Sequence, residues 1–156
     1  MRIRRARTSD AGVLAKMIRG YESHEHALDH RLSVSSVSSH RTDILKQFKD
    51  KSSIFLIAEE NGDAAGFVLY SIDKRGKLRI GVLHDIFVYG HHRGEGIGYA
   101  LVKTSISDMN DHGCSYVKSA VRVKNKAAQR FWQSLGFKID FNLTTYSMKK
   151  NISPLR

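Results

Sequence analysis

Long apolar runs are missing from this chain: no stretch approaches the ~20 residues that a membrane-spanning helix needs. Cysteine is reduced to Cys114 alone, so no internal disulfide can form and nothing points to secretion. Proline also occurs once, at Pro154 in the tail, and there is no internal repeat or low-complexity tract. Acidic residues are scarce beside basic ones, 15 against 26, which leaves a formal net charge of +11. The start, Met1-Arg2-Ile3-Arg4-Arg5-Ala6, is basic, but no apolar signal-peptide core follows it. These absences predict a cytoplasmic protein with no membrane partner.

What is present fits one domain of 156 residues, large enough to bury roughly 70% of its unfolded surface. An apolar content of 41% and a charged content of 26% are ordinary for a globular protein. The excess positive charge calls for an anionic partner or an acidic environment, with nucleic acid and a phosphorylated cofactor as candidates. Its carriers are scattered: Arg2, Arg4, Arg5 and Arg7 at the start, Lys118 to Lys126 late, Lys149 and Lys150 near the end. No aromatic-interleaved basic block stands out, so nucleic acid is not favoured and a solvated basic surface stays open.

Patterning predicts a short strand at Ile3 to Ala6, then Thr8-Ser9-Asp10 capping a helix with Val13, Leu14, Met17, Ile18 and Tyr21 on one face. The polar stretch from Glu22 to His40 has no clear period. Ile44, Leu45 and Phe48 suggest a second helix ending near Asp50. Strands follow at Ile54 to Ala58, Gly66 to Ile72 and Leu78 to Tyr89, joined through Asn61-Gly62 and Lys74-Arg75-Gly76. Leu101, Val102, Ile106 and Met109 mark a helix, and Tyr116 to Val123 a strand. Asn125 caps a last helix with Ala128, Phe131, Trp132 and Leu135 on one face, ended by Gly136. Phe137 to Leu143 and Thr145 to Lys150 close as a strand pair. Antiparallel strands first, then strand-helix-strand units, predict an α+β (mixed α/β) sheet. The domain is expected over 1–150, with 151–156 as a tail.

Between the long strand and its following helix lies Arg93-Gly94-Glu95-Gly96-Ile97-Gly98-Tyr99. Glycines let backbone approach a ligand, and the first amides of a helix are unpaired donors at its positive end. Such a turn can cradle a pyrophosphate, with Arg93 adding a charged donor; a purely structural turn is the alternative. No Gly-Lys-Ser/Thr follows, which excludes a Walker-type loop. Gly94, Gly96 and Gly98 give G-x-G-x-G, so the third glycine of a dinucleotide fingerprint is misplaced.

One strand downstream stands Asn125-Lys126-Ala127-Ala128-Gln129-Arg130-Phe131-Trp132-Gln133-Ser134-Leu135-Gly136-Phe137. The two segments together resemble the GNAT superfamily of N-acetyltransferases. Its acetyl-CoA loop, Arg/Gln-x-x-Gly-x-Gly/Ala, is met by Arg93, Gly96 and Gly98; its later motif is met by Asn125, Ala128, Phe131-Trp132 and Leu135-Gly136-Phe137. The resemblance covers nearly the whole chain, from Ile3 to Lys150. It implies a central mixed, mostly antiparallel sheet flanked by helices, and direct acetyl transfer from acetyl-CoA to an amine, with no metal.

Residue by residue, the resemblance implies that backbone groups of Ile86, Phe87 and Val88 meet the pantetheine arm. Loop amides from Arg93 through Tyr99 would clamp the pyrophosphate. Asn125 would be both helix cap and ligand, with Ala128, Phe131 and Trp132 beside the cofactor. The run Leu83-His84-Asp85-Ile86-Phe87-Val88 is similar to that of the spermidine/spermine N-acetyltransferases, whose glutamate position is taken here by His84. His84, with an ordinary pKa of ~6.5, is the favoured base and Asp85 the second candidate. Strand alternation predicts that the two face opposite sides. Trp132 departs from the family, where a tyrosine often protonates the departing sulfur; an indole cannot. Tyr99, Tyr146, Cys114 or solvent are the replacements available. His24, His26 and His30 are read as surface or acceptor-lining groups rather than metal ligands.

The acceptor is unspecified: a polyamine, an antibiotic-like amine or a protein or peptide amine all fit. Its site is expected in Tyr21 to Phe48 and Asp140 to Met148, where Glu22, Glu25 and Asp29 are placed to attract a cation. A homodimer is left open. The competing reading is a GNAT-like domain that binds coenzyme A or nucleic acid without turnover.

Overall fold

A computed structural model describes residues 1–51, 53–142 and 145–152, and the side chains of all of these except 140–142 and 145–149. The expected strand end at Leu143, residues 153–156 of the expected tail and all side chains of the Asp140 to Met148 hairpin, Tyr146 among them, lie outside the described residues. Among the described residues, which hold seven strands and four helices, the strands form one sheet in the order β1-β2-β3-β4-β5-β7-β6. They are β1 (Arg2–Arg5), β2 (Ile54–Glu60), β3 (Asp63–Arg75), β4 (Leu78–Val88), β5 (Tyr116–Arg122), β6 (Lys138–Asn142) and β7 (Thr145–Asn151). Four helices flank it: α1 (Ala11–Leu28), α2 (Val37–Asp50), α3 (Ile97–Asp111) and α4 (Lys126–Ser134). β4 and β5 pair in parallel, and every other pairing is antiparallel. This is the mixed, mostly antiparallel α+β sheet expected.

The β2–β3 connection has the two-residue loop Asn61-Gly62, both with positive φ, as a tight primed turn requires. The next turn is centred one residue later than expected, on Gly76-Lys77, with Gly76 at φ +60°. β3 therefore runs well past Ile72 and forms a long ladder with β4.

Two apolar layers cover the sheet. Under α3 and α4 lie Val68, Tyr70, Leu83, Leu101, Met109 and Trp132. Under α1 and α2 lie Leu14, Met17, Ile44, Phe55, Phe67 and Leu69. α1 continues seven residues beyond Tyr21, through the polar stretch that showed no period. Gly20 lets it approach β4 closely, because a Cβ there would lie 3.0 Å from the Phe87 ring. α4 ends with Gly136 at φ +82° and Phe137 N–H donating to Trp132 O at 3.1 Å, a glycine C-cap that satisfies the last carbonyls.

Candidate active site

The site begins with a fault in the β3–β4 ladder. Leu69 faces Asp85 and Tyr70 faces Leu83, so His84 is the surplus residue of a β-bulge. A bulge bends its strand and disrupts local pairing. β4 accordingly pairs with β5 only from Ile80 to Leu83, although β4 continues to Val88 and β5 to Arg122. Beyond the bulge the two parallel strands diverge. A cleft opens between them, walled by Ile86 and Val88 on one side and Ala120 and Val121 on the other.

The bulge also corrects the expectation that His84 and Asp85 face opposite sides. Leu83 packs under α3 and α4, yet Phe87 packs under α1 and α2. Unbroken alternation would put both on one face. The extra residue reverses the parity, so His84 and Asp85 both lie on the α1–α2 face. They line one cavity together with Gln47 of α2, and His84 also lines the cleft between β4 and β5.

His84 has a fixed partner. Its Nε2 lies 2.8 Å from Ser71 Oγ, and Ser71 Oγ donates to Asp73 Oδ1 at 3.0 Å. Partial desolvation in the cleft lowers the pKa of the His84 ring, which is otherwise exposed, with Asp73 opposing and Lys118 reinforcing the shift. Asp85 is in the reverse condition. Burial, then the charges of Glu22 and Glu25, pushes its carboxyl up to about 6. Asp85 has no hydrogen-bond or ion-pair partner among the described residues. The side-chain oxygen of Gln47, in the same cavity, is likewise buried without one.

The three acids expected to attract a cation are all engaged. Glu22 accepts from Ser35 N–H at 2.7 Å and lies 3.0 Å from His40 Nε2. Asp29 pairs with Arg31 and Lys124. Glu25 is buried; it accepts from Asn125 Nδ2 at 2.7 Å and pairs with Arg122 at 3.5 Å. Asn125 Oδ1 in turn accepts from Ala128 N–H at 2.9 Å, so one side chain both caps α4 and ties it to α1. Tyr21 and His24 of α1 line the cleft beside Glu25. Burial, then the Asp85 charge, holds the Tyr21 phenol in its protonated form.

At the cleft mouth the turn expected to bind phosphate is a pocket of its own, lined by Arg93, Gly94, Gly96, Ile97, Gly98 and Tyr99. Gly94 and Gly96 have φ of +86° and +80°, values that exclude most side-chain-bearing residues without strain. Arg93 is anchored at the entrance by Nε donating to Val88 O at 3.1 Å, and Glu95 accepts or shares a proton with His92 Nδ1 at 3.2 Å. The first loop amide closed at this helix start belongs to Ala100, bonded to Gly96 O. No acceptor among the described residues meets the amides from Gly94 to Tyr99. Ala128 and Phe131 line the inner end of the cleft, and Gly98 keeps α3 close to α4, since its Cβ would lie 3.4 Å from the Phe131 ring.

Trp132 is 3% exposed and packs edge-on against Phe131 and Phe137. Cys114 is buried in the core under α3, and Tyr99 lies at the phosphate turn rather than beside His84. Among the described residues no group of His, Cys, Asp or Glu could hold a metal, and no helix is long and apolar enough to cross a membrane. Reading the sequence missed the Ser71–His84 pair and the Glu25–Asn125 tie, and it placed Tyr21 and Gln47 only within the broad segment Tyr21 to Phe48. Partners 13 and 100 residues apart leave no local pattern.

The profile of the acetyltransferase (GNAT) family matches residues 20–137. An uncharacterised N-acetyltransferase of Bacillus subtilis is 27% identical over 150 residues, covering 95% of this chain and 97% of that one. Thialysine N-epsilon-acetyltransferase of Mus musculus is 29% identical over 86% of this chain and 82% of its own. Among solved structures, PaiA N-acetyltransferase from Thermoplasma acidophilum in complex with coenzyme A superposes with a TM-score of 0.80 at 18% identity, covering 97% and 98% of the two chains. The chain belongs to the acetyltransferase (GNAT) family and is an acyltransferase.

Proposed function

We propose that the protein transfers an acetyl group from acetyl-CoA to a primary amine by direct attack, with His84 as general base. The observation that carries this reading is the row of unpaired amides from Gly94 to Tyr99 at the mouth of the β4–β5 cleft. Those donors, at the positive end of a helix, fit a pyrophosphate. The unpaired edge of β4 along Ile86, Phe87 and Val88 fits an amide-bearing arm such as pantetheine. The coenzyme A complex of the Thermoplasma relative supports the same donor. Bound acetyl-CoA supplies an activated carbonyl and a thiolate leaving group.

Everything else falls to side chains. An aliphatic amine of pKa ~10.4 arrives protonated. Asp85, Gln47 and the nearby charge of Glu22 make an acceptor-rich wall for that ammonium. After one proton is lost to solvent, the neutral amine forms the new N–C bond as the C–S bond breaks, and the surplus N–H proton passes to His84. The coenzyme A sulfur, an ordinary thiol of pKa ~8.5, leaves as the thiolate and takes its proton from solvent, so the absence of an acid at Trp132 costs little. Tyr21, which lines the cleft with its proton retained, offers a hydrogen-bond donor there. The mouse relative is named for acetylating an ε-amine, which supports an amine acceptor. An acceptor end bearing its own carboxylate is disfavoured, because it would meet Asp85. A cytoplasmic site of action accords with acetyl-CoA as donor.

The test is release of coenzyme A thiol from acetyl-CoA against a panel of diamines, amino acids and peptides. His84→Ala is expected to lower kcat by roughly 10²–10⁴, the worth of a positioned base. Turnover with no amine in the panel, or undiminished turnover by His84→Ala, would remove the reading.

A further inference from the structure

The pair of hydrogen bonds behind His84 specifies which of its nitrogens is free. An ionised aspartate can only accept, so the Ser71 hydroxyl proton is committed to Asp73 Oδ1 at 3.0 Å. The Ser71 oxygen then has only lone pairs to offer Nε2 at 2.8 Å, and Nε2 must carry the ring proton. That leaves Nδ1 with its lone pair. Ser71 is 8% exposed and sits on β3, so the relay is anchored in the sheet rather than in a loop.

We propose that Ser71 and Asp73 are positioning residues: they hold the His84 ring by Nε2–H and present Nδ1 as the base. The proposal rests on the reading of His84 as base. It gives the proton a full path: Nδ1 takes it from the attacking amine, and the resulting imidazolium keeps Nε2–H on Ser71 with the Asp73 charge behind it. The charges that act on the ring are Asp73 from β3 and Lys118 from β5. Arg122 from β5 and Tyr21, His24 and Glu25 from α1 line the cleft that His84 also lines, and Asp85 of β4 lines the neighbouring cavity with it. Of these, Asp73 is the charge that favours the protonated ring. Removing the relay therefore lowers the His84 pKa further.

Two measurements on the full chain test this. In 15N-imidazole NMR, with His84 assigned by its loss in His84→Gln, the wild type shows an unprotonated Nδ1 and a slowly exchanging Nε2–H proton. Ser71→Ala loses that slow proton. This readout needs no turnover. In the pH–rate profile with the best amine of the panel, Ser71→Ala and Asp73→Asn lower kcat by roughly tenfold, a part of what a positioned base contributes. Both move the acidic midpoint to lower pH, with KM for acetyl-CoA unchanged, and Ser71→Thr restores both parameters. A proton on Nδ1 in the wild type would overturn the proposal, as would a Ser71→Ala enzyme with unchanged kcat and midpoint. If His84→Ala keeps full activity the base reading falls, and the catalytic half of this proposal with it, whatever the NMR shows.

Discussion

The cleft has two halves made of different materials. The half proposed to hold the donor, from Val88 through Tyr99, presents backbone amides whose direction is set by Gly94, Gly96 and the start of α3. The half proposed to hold the acceptor, between β4 and helices α1 and α2, presents side chains: His84, Asp85, Gln47 and Tyr21. A backbone site tolerates changes of side-chain chemistry but not of φ. A side-chain site tolerates the reverse. One fold can therefore keep its donor while changing its acceptor through a few residues on two helices.

The junction between the halves should show the largest effect. Asn125 caps α4 and gives Glu25 a hydrogen bond. Asn125→Ala loses a cap worth ~1 kcal/mol and strips a buried carboxylate of a donor, a further ~1–3 kcal/mol. Thermal denaturation should record a clear fall in Tm; a shift no greater than that of a surface substitution would mean the two halves are not tied there.

Next comes the acceptor wall. The Asp85 carboxyl is raised from 3.8 to about 6 in the folded protein, so the native state holds its proton more tightly than the unfolded chain. That contribution to stability is complete below pH ~4 and is lost as pH rises through about 6. Asp85→Asn should therefore stabilise the protein at pH 8 by at most about 3 kcal/mol and leave it unchanged near pH 3.5. Amine KM should rise in the same variant. Denaturant titrations at the two pH values decide it, and an equal gain at both would show that Asp85 is not desolvated.

The donor half gives the smallest expected change in free energy. Gly96→Val forces a β-branched residue to φ +80°, at a cost of about 1–2 kcal/mol. Calorimetry should find coenzyme A binding weakened roughly tenfold, the equivalent of about 1.4 kcal/mol, with the circular dichroism spectrum intact. Undiminished affinity would show that the turn does not need its left-handed glycines.

The same contrast governs what could be read from the sequence. The turn is legible as a turn because left-handed backbone demands glycine at Gly94 and Gly96; its reading as an acetyl-CoA loop comes from the resemblance that it carries together with the Asn125–Phe137 segment. The sheet was visible for a similar reason: Asn61-Gly62 and the alternating runs beside it encode a hairpin locally. The acceptor half was not. α1 extends through Glu22 and Glu25 because their neighbours in space, His40 for the first and Asn125 and Arg122 for the second, satisfy them, and no short window of sequence contains those neighbours. The position of the bulge was hidden as well, since one surplus residue in a ladder leaves the composition of β4 unchanged. His84 and Asp85 are legible through the resemblance of the Leu83–Val88 run, but which way each points depends on a partner strand.

The offset of a single residue at His84 has a consequence for how the molecule meets its ligands. The opening beside Ile86 exists because two strands fail to zip, so no apolar layer has to be hollowed out to make it. An apolar cluster lies on each side of the sheet beside it, and strand backbone frames the gap. Such an aperture stands ready before anything enters.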